Sequence, residues 1–352
     1  MGKRYYIIAL IFVSIFQQGE TQTGGRHIYE FVNLSPGSRI AALGGMPIAW
    51  RATDPGVVFQ NPSLMTDKLD GTVQFSHQFY FADIGTGHFS YSDHLKKWNL
   101  NVQGGAHYIN YGDIPQTDIY DNTLGQFKPK ETDFYIAVSK TIKERLIIGA
   151  NLQYIFSTLN NYSSQGLSVN TGISYFNPEK EFGLSLVVKN AGVQITKYNN
   201  ERETLPFEIQ LGFAKKLKHL PLIYHITFQH LENWNLKYDD PNLANDGVLF
   251  GDVSTDSEFD NFVGNLLRHF VIGAELNFGK KENFSIRLGY NHLRNSDLSL
   301  NDYRSFSGLS WGFGIKIYKF KFDYSNAVYH LAGGTSQITL STNLNSFFKT
   351  EM

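Results

Sequence analysis

The sequence predicts an all-β chain, a transmembrane antiparallel β-barrel of about fourteen strands with an N-terminal plug segment. Three observations carry that reading. From about residue 71 the chain breaks into segments of roughly ten residues that alternate apolar with small or polar side chains, the period of a strand whose faces meet different surroundings. The connections between these segments alternate tight and long, as barrels of the outer membrane do between their two ends. Past the N-terminus no apolar run of about 18 residues could cross a bilayer as a helix, so a membrane reading leaves only the closed barrel.

Composition agrees. The 352 residues suit one barrel as well as two soluble domains, but 28 Phe, 20 Tyr and 32 Gly favour strands over helices. A net charge of -1 speaks against nucleic acid as a partner. With no cysteine, disulfides, thiolate metal sites, cysteine nucleophiles and a lipid-modified N-terminal cysteine are ruled out.

Taken in order, residues 1–23 read as a cleaved signal peptide: Lys3 and Arg4 precede the apolar stretch Tyr5 to Phe16, and a polar stretch follows to Gly25. No A-x-A pattern marks the cut, which is expected near residues 19–24; a short buried strand of a cytoplasmic protein is the alternative. Residues 24–70 do not alternate and carry turn residues such as Pro47, Asp54, Pro55 and Gly56. Fourteen strands leave a lumen that must hold water or a plug, and this segment is expected to be mainly the plug. Residues 71–352 form the barrel, with strands expected at 71–80, 84–92, 98–110, 132–142, 146–157, 166–176, 181–190, 207–217, 222–232, 268–279, 283–293, 306–318, 319–328 and 335–347. Tight connections fall at Asp93–Lys97, Lys143–Arg145, Asn177–Lys180, Lys218–Pro221, Lys280–Glu282 and Tyr318–Lys319. Long ones fall at Tyr111–Glu131, Thr158–Gln165, Ala191–Pro206, Asn233–Leu267, Arg294–Ser305 and Tyr329–Gly334, with a very short Phe81–Asp83 as the exception. Both termini are then periplasmic. Within strands, Trp98, Leu100, Val102, Ala106 and Tyr108 face lipid, while Asn101, Gln103 and His107 face the lumen beside Thr72, Gln74, Ser76 and Gln78. A two-sheet soluble sandwich would alternate too, but would not sort its loops by parity.

Ala42, Leu43, Gly44 and Gly45, followed by Asp54 and then Asn61, Pro62 and Ser63, resemble the N-terminal region of FadL-like barrels. That resemblance implies fourteen strands around a plug, with Gly44, Gly45, Asn61 and Pro62 as the plug motif; Ser63 stands where Ala is commoner. Tyr29 to Leu34, with Ser38, Arg39 and Ala41 to Gly45, more specifically resemble the PorQ group of type IX secretion outer-membrane proteins. The related PorV group shares the Gly-Gly and Asn-Pro features but not the Tyr-Glu-Phe opening. The PorQ-like resemblance covers the plug, the barrel matching by pattern only. It implies a non-enzymatic, integral protein of the Gram-negative outer membrane that holds a lipopolysaccharide-binding, PorZ-like partner in an attachment complex with the sortase PorU and PorV. The FadL-like resemblance implies the alternative, a channel for hydrophobic compounds, against which the polar lumen faces weigh. Neither implies a cofactor.

Gly308, Leu309, Ser310, Trp311 and Gly312 match the G-x-S-x-G nucleophile elbow, which needs a strand-to-helix turn. Here they fall inside an alternating strand, so Ser310 reads as a small lumen-facing residue and no catalytic residue is assigned. His225 and His230 are expected on opposite faces of one strand, unable to share a metal. The acidic loop with Asp239, Asp240, Asp246, Asp252, Asp256, Glu258 and Asp260 lacks EF-hand spacing and reads as solvated surface. Together with Leu249, Phe250 and Phe259 it is the candidate docking surface for an extracellular partner, a self-packed lid being the alternative.

Overall fold

The computed structural model describes residues 27–51, 54–199, 201–237, 258–279, 282–297, 306–330 and 333–348. The expected signal peptide lies outside them.

Strands β1 (Thr72–Phe79), β2 (Gly85–Leu95) and β3 (Leu100–Asn110) begin a closed antiparallel barrel, and a separate hairpin of β4 (Ile114–Thr117) and β5 (Thr123–Phe127) follows. The barrel continues through β6 (Lys130–Lys143), β7 (Leu146–Leu159), β8 (Tyr162–Asn177), β9 (Phe182–Thr196), β10 (Glu208–Lys216) and β11 (Leu222–Phe228). It is completed by β12 (Phe270–Phe278), β13 (Phe284–Asn291), β14 (Leu309–Ile317), β15 (Phe320–His330) and β16 (Gly333–Asn343), which pairs with β1. Fourteen strands thus close the sheet, and closure leaves no unpaired edge.

Alternation is kept around the wall, and register joins apolar outer residues into rows. One runs through Ile148, Ile173, Leu186, Leu211, Phe228 and Phe270 on six successive strands. The inner face is polar and buried, with Gln74, Ser76, Gln103, Asn151 and Gln153 among its residues. What buries it is the N-terminal segment, which runs inside the barrel as α1 (Ser38–Ala42), α2 (Gly56–Gln60) and short 3-10 turns. The apolar core is therefore made largely by the insert's own Ile40, Val57, Val58, Phe59, Leu64 and Met65.

Several expectations are corrected. The Thr158–Gln165 loop is a tight hairpin, because β7 and β8 continue to Leu159 and Tyr162 around a left-handed Asn160; apart from that one pair the stretch is polar, so it carries no alternation to read. The short Phe81–Asp83 connection is real: Tyr80 and Ile84 are hydrogen-bonded across Ala82 and Asp83, both at positive φ, as hairpin turns need. Tyr111–Glu131 holds the hairpin β4–β5. Helices α3 (Glu258–Arg268) and α4 (His292–Asp297) stand in two other long connections. The last strand ends at Asn343 and α5 (Asn345–Phe348) follows, since the Leu344 amide turns to the Gly71 carbonyl and Asn343 to the Asp70 carbonyl. Finally, the first described residue does not lie at the tight-turn end: His27 bridges Thr204, inside a long connection, so the described insert runs from the loop end down to β1.

Candidate functional site

The insert and the wall that receives it form the candidate site. At its body, α1 places Ser38 against Thr339, whose Oγ1 accepts from the Ser38 amide at 2.8 Å. Arg39 makes two hydrogen bonds to Glu275, at 3.0 and 2.7 Å. Glu275 also accepts from Arg287 at 2.7 Å, and Arg287 reaches Asp323 at 2.7 Å. These four side chains are each 6% exposed or less, and a third cation, the partly exposed Lys321, reaches Asp323 at 3.4 Å. Gly314 on β14 makes the span possible, since a Cβ there would strike Asp323 Oδ1 and Arg287. A buried network of this kind adds little net stability, but losing one member strands the others.

The four plug-motif residues occupy two seats. Gly44 and Gly45 end α1 at φ 86° and 95°, conformations that favour glycine. The Gly44 amide donates to Ser310 Oγ at 3.1 Å, and Ser310 donates to the Ala42 carbonyl at 3.1 Å. Under them lie Gly273 and Gly289, cross-strand partners, where a Cβ would collide with Leu43 and with the Gly44 amide. Asn61 and Pro62 sit on a second pair, Gly149 and Gly172, where a Cβ would strike the Pro62–Ser63 backbone or the Asn61 side chain. Asn61 Oδ1 accepts from the Ser63 amide at 3.0 Å and hydroxyl at 2.6 Å, and Asn61 Nδ2 donates to the Ile48 carbonyl at 2.7 Å. The Ser63 hydroxyl, which Ala would lack, continues at 2.6 Å to Ser174.

Toward the loops the insert is held differently. Ile28, Tyr29, Phe31 and Val32 pack with Ile109, Ile155 and Leu205, and Phe31 stacks on His107 at 5.8 Å. Tyr29, at φ 60°, bonds Ser164, and Asn33 accepts from Lys189 at 3.2 Å and Asn190 at 3.0 Å. Asn190 faces inward next to Lys189 because a bulge breaks the β8–β9 register there. Nearby, Tyr111 donates to Glu131 at 2.6 Å, and burial together with that carboxylate pushes its phenol up.

The parity argument for His225 and His230 fails. β11 stops at Phe228, and His230, at φ 54°, turns toward Glu208, 4.0 Å away on the lumen side where His225 also lies. Burial opposes its charge, but Glu208 and Glu232 outweigh this and raise its pKa to about 8. Of the acidic loop, Asp239, Asp240, Asp246, Leu249, Phe250, Asp252 and Asp256 lie outside the described residues, while Phe259 and Asp260 fall in α3. The described flanks fold back on themselves: Trp234 stacks on His269 at 5.1 Å, and Asn265 accepts from the Leu236 amide at 2.9 Å.

Sequence reasoning missed the roles of Arg287 and Asp323. The available signal was charge of opposite sign at inward positions of neighbouring strands, Glu275 and Arg287 being register partners.

No protein-family model matches the chain, and neither does any curated protein. Among solved structures it is similar to the Pseudomonas putida toluene transporter TodX, with TM-score 0.52 and 10% identity over 86% of this chain and 95% of TodX. It is also similar to the CymD monoaromatic hydrocarbon channel, with TM-score 0.51 and 12% identity over 89% of this chain and 97% of CymD. Both are FadL-family barrels. The likeness is one of fold: a closed fourteen-strand antiparallel barrel of the outer-membrane type.

Proposed function

We propose that this chain is an integral outer-membrane barrel admitting small apolar compounds, with its N-terminal segment as the plug. One observation supports this most: at the loop end the insert occupies an apolar site with Ile28, Phe31 and Val32 among Ile109, Ile155 and Leu205, side chains that a small aromatic molecule can replace. The polar wall, which weighed against a channel in the sequence, faces insert backbone elsewhere and leaves this site greasy. The fold shared with the toluene transporter TodX and the monoaromatic hydrocarbon channel CymD agrees. Toluene binding to the folded chain, measured by calorimetry and repeated with Ile109→Asp, tests it. Saturable binding lost in the variant is expected; no binding to either protein overturns the reading.

A second reading is favoured by the residues Tyr29–Leu34 with Ser38, Arg39 and Ala41–Gly45, which resemble the PorQ group and here build part of the insert. In it the barrel is a non-enzymatic anchor for a PorZ-like partner, with PorU and PorV, docked on the Asn233–Leu267 loop. Co-purification from native outer membranes distinguishes the two. Shortening Asp239–Asp260 should release the partner and leave toluene binding intact.

A further inference from the structure

The turns at the end away from the long loops share a chemistry that neither reading uses; this end is called the tight-turn end below. Five of these turns carry a described lysine: Lys96 and Lys97, Lys143, Lys180, Lys218 and Lys319. The opposite end carries the carboxylates Asp113, Asp118, Asp121, Glu201 and Glu203. The chain is nearly neutral overall, so this is a dipole of whole ends, not an excess of base.

Two of the cations at the tight-turn end stand on the outer face of the wall. Lys140 continues the outward series Phe134, Ile136, Val138 and lies across from Ile148. Lys215 continues Leu211 and Phe213 and lies between Phe182 and Tyr224. A soluble partner cannot reach a lysine at the edge of the apolar belt; a lipid headgroup meets it there, the stem lying along the belt and the ammonium rising to the phosphate. Aromatic rings mark the same level. Trp98 is 61% and Tyr318 80% exposed. Lys97 stands 5.9 Å from the Trp98 ring, and Lys319 stands 5.0 Å from Tyr318 and 4.5 Å from Phe347. Rings that settle at the water–hydrocarbon boundary thus hold ammonium groups at headgroup depth.

We infer that the tight-turn rim is a binding surface for anionic phospholipid headgroups, with Lys140 and Lys215 as its belt-edge contacts and the turn lysines as its outer ring. This rests on the membrane-spanning reading, but not on the choice between channel and anchor.

The full chain is refolded into vesicles of mixed phosphatidylglycerol and phosphatidylcholine, extracted gently, and its retained lipids counted by native mass spectrometry. Phosphatidylglycerol should be retained several-fold over phosphatidylcholine. The preference should fall toward parity in a protein carrying Lys140→Gln, Lys215→Gln, Lys143→Gln and Lys218→Gln. If that protein does not fold, the turn pair Lys143→Gln and Lys218→Gln decides, with a partial loss expected. Equal retention of both lipids by the unaltered chain, or undiminished preference in a folded variant, overturns the proposal. So does capture of a soluble polyglutamate peptide without lipid preference, which would assign the rim to an acidic protein. Failure to insert into either vesicle refutes the membrane reading itself, and is told apart because no heat-modifiable folded species forms.

Discussion

Between Ser38 and Met65 the insert meets the wall through buried ion pairs, hydroxyl bridges and seats cut to glycine size, whereas between His27 and Leu34 it meets strand ends and a loop through apolar packing, amide contacts and a Tyr29 held at φ 60°. The bonds differ in what can replace them. An ion pair broken inside the barrel leaves a charge with no partner, so the body has no intermediate position to rest in. Apolar packing is regained by any apolar occupant, and a left-handed tyrosine gives back strain when released. The insert should therefore yield from the loop end first.

The largest effect is expected at the body. Glu275→Ala strands Arg39, takes from Arg287 one of its two carboxylates and leaves it Asp323 alone, and should lower stability in a denaturant refolding titration by about 3–5 kcal/mol. Arg39→Ala should cost less, because Glu275 keeps Arg287. No loss in Arg39→Ala would mean that the network does not tie insert to wall. On the outer face, Ile148→Arg should cost about 2–4 kcal/mol in the same titration, for a charge with no partner in hydrocarbon. Next, Gly149→Ala should cost about 1–3 kcal/mol by pushing its Cβ into the Pro62–Ser63 backbone. The same change at Gly125, on the exposed hairpin with open space around it, should be nearly silent.

At the loop end, Phe31→Ala should leave the global unfolding midpoint almost unmoved while raising protease nicking of 27–34, because the loss is local opening. The smallest effect is one of pH. The His230 pKa is raised from 6.5 to about 8, so its attraction to Glu208 is complete below pH 6.5 and disappears as the pH rises through about 8. Protection of residues near Asn33, corrected for intrinsic exchange rates, should fall across that window. In His230→Gln the dependence should vanish.

Much of the barrel was legible because alternation is local. The face assignments of Leu100, Gln103, Ile148, Asn151 and Ser310 needed only their neighbours, and each expected strand overlaps a real one. Gly44, Gly45, Asn61 and Pro62 were legible as a motif but not as seats, since their opposite halves, Gly289 and Gly172, meet them only once the sheet has closed. The ion network was hidden for the same reason: Arg39, Glu275, Arg287 and Asp323 are brought together by closure alone. Strand ends failed where the stretch is mostly polar, as at Thr158–Gln165, or where a neighbouring turn captures the backbone, as at Asn343. His230 was misplaced because one left-handed residue cancels parity.

Hydrogen exchange on the folded full chain in detergent, resolved by mass spectrometry, tests the division of the insert most directly. The account predicts that amides of 28–34 exchange at least about tenfold faster than those of 40–65, a difference of roughly 1.4 kcal/mol, and that toluene, by taking the place of the insert's apolar side chains, speeds exchange in the first group only. Equal protection along the insert, or a body that opens before the loop end, would contradict it.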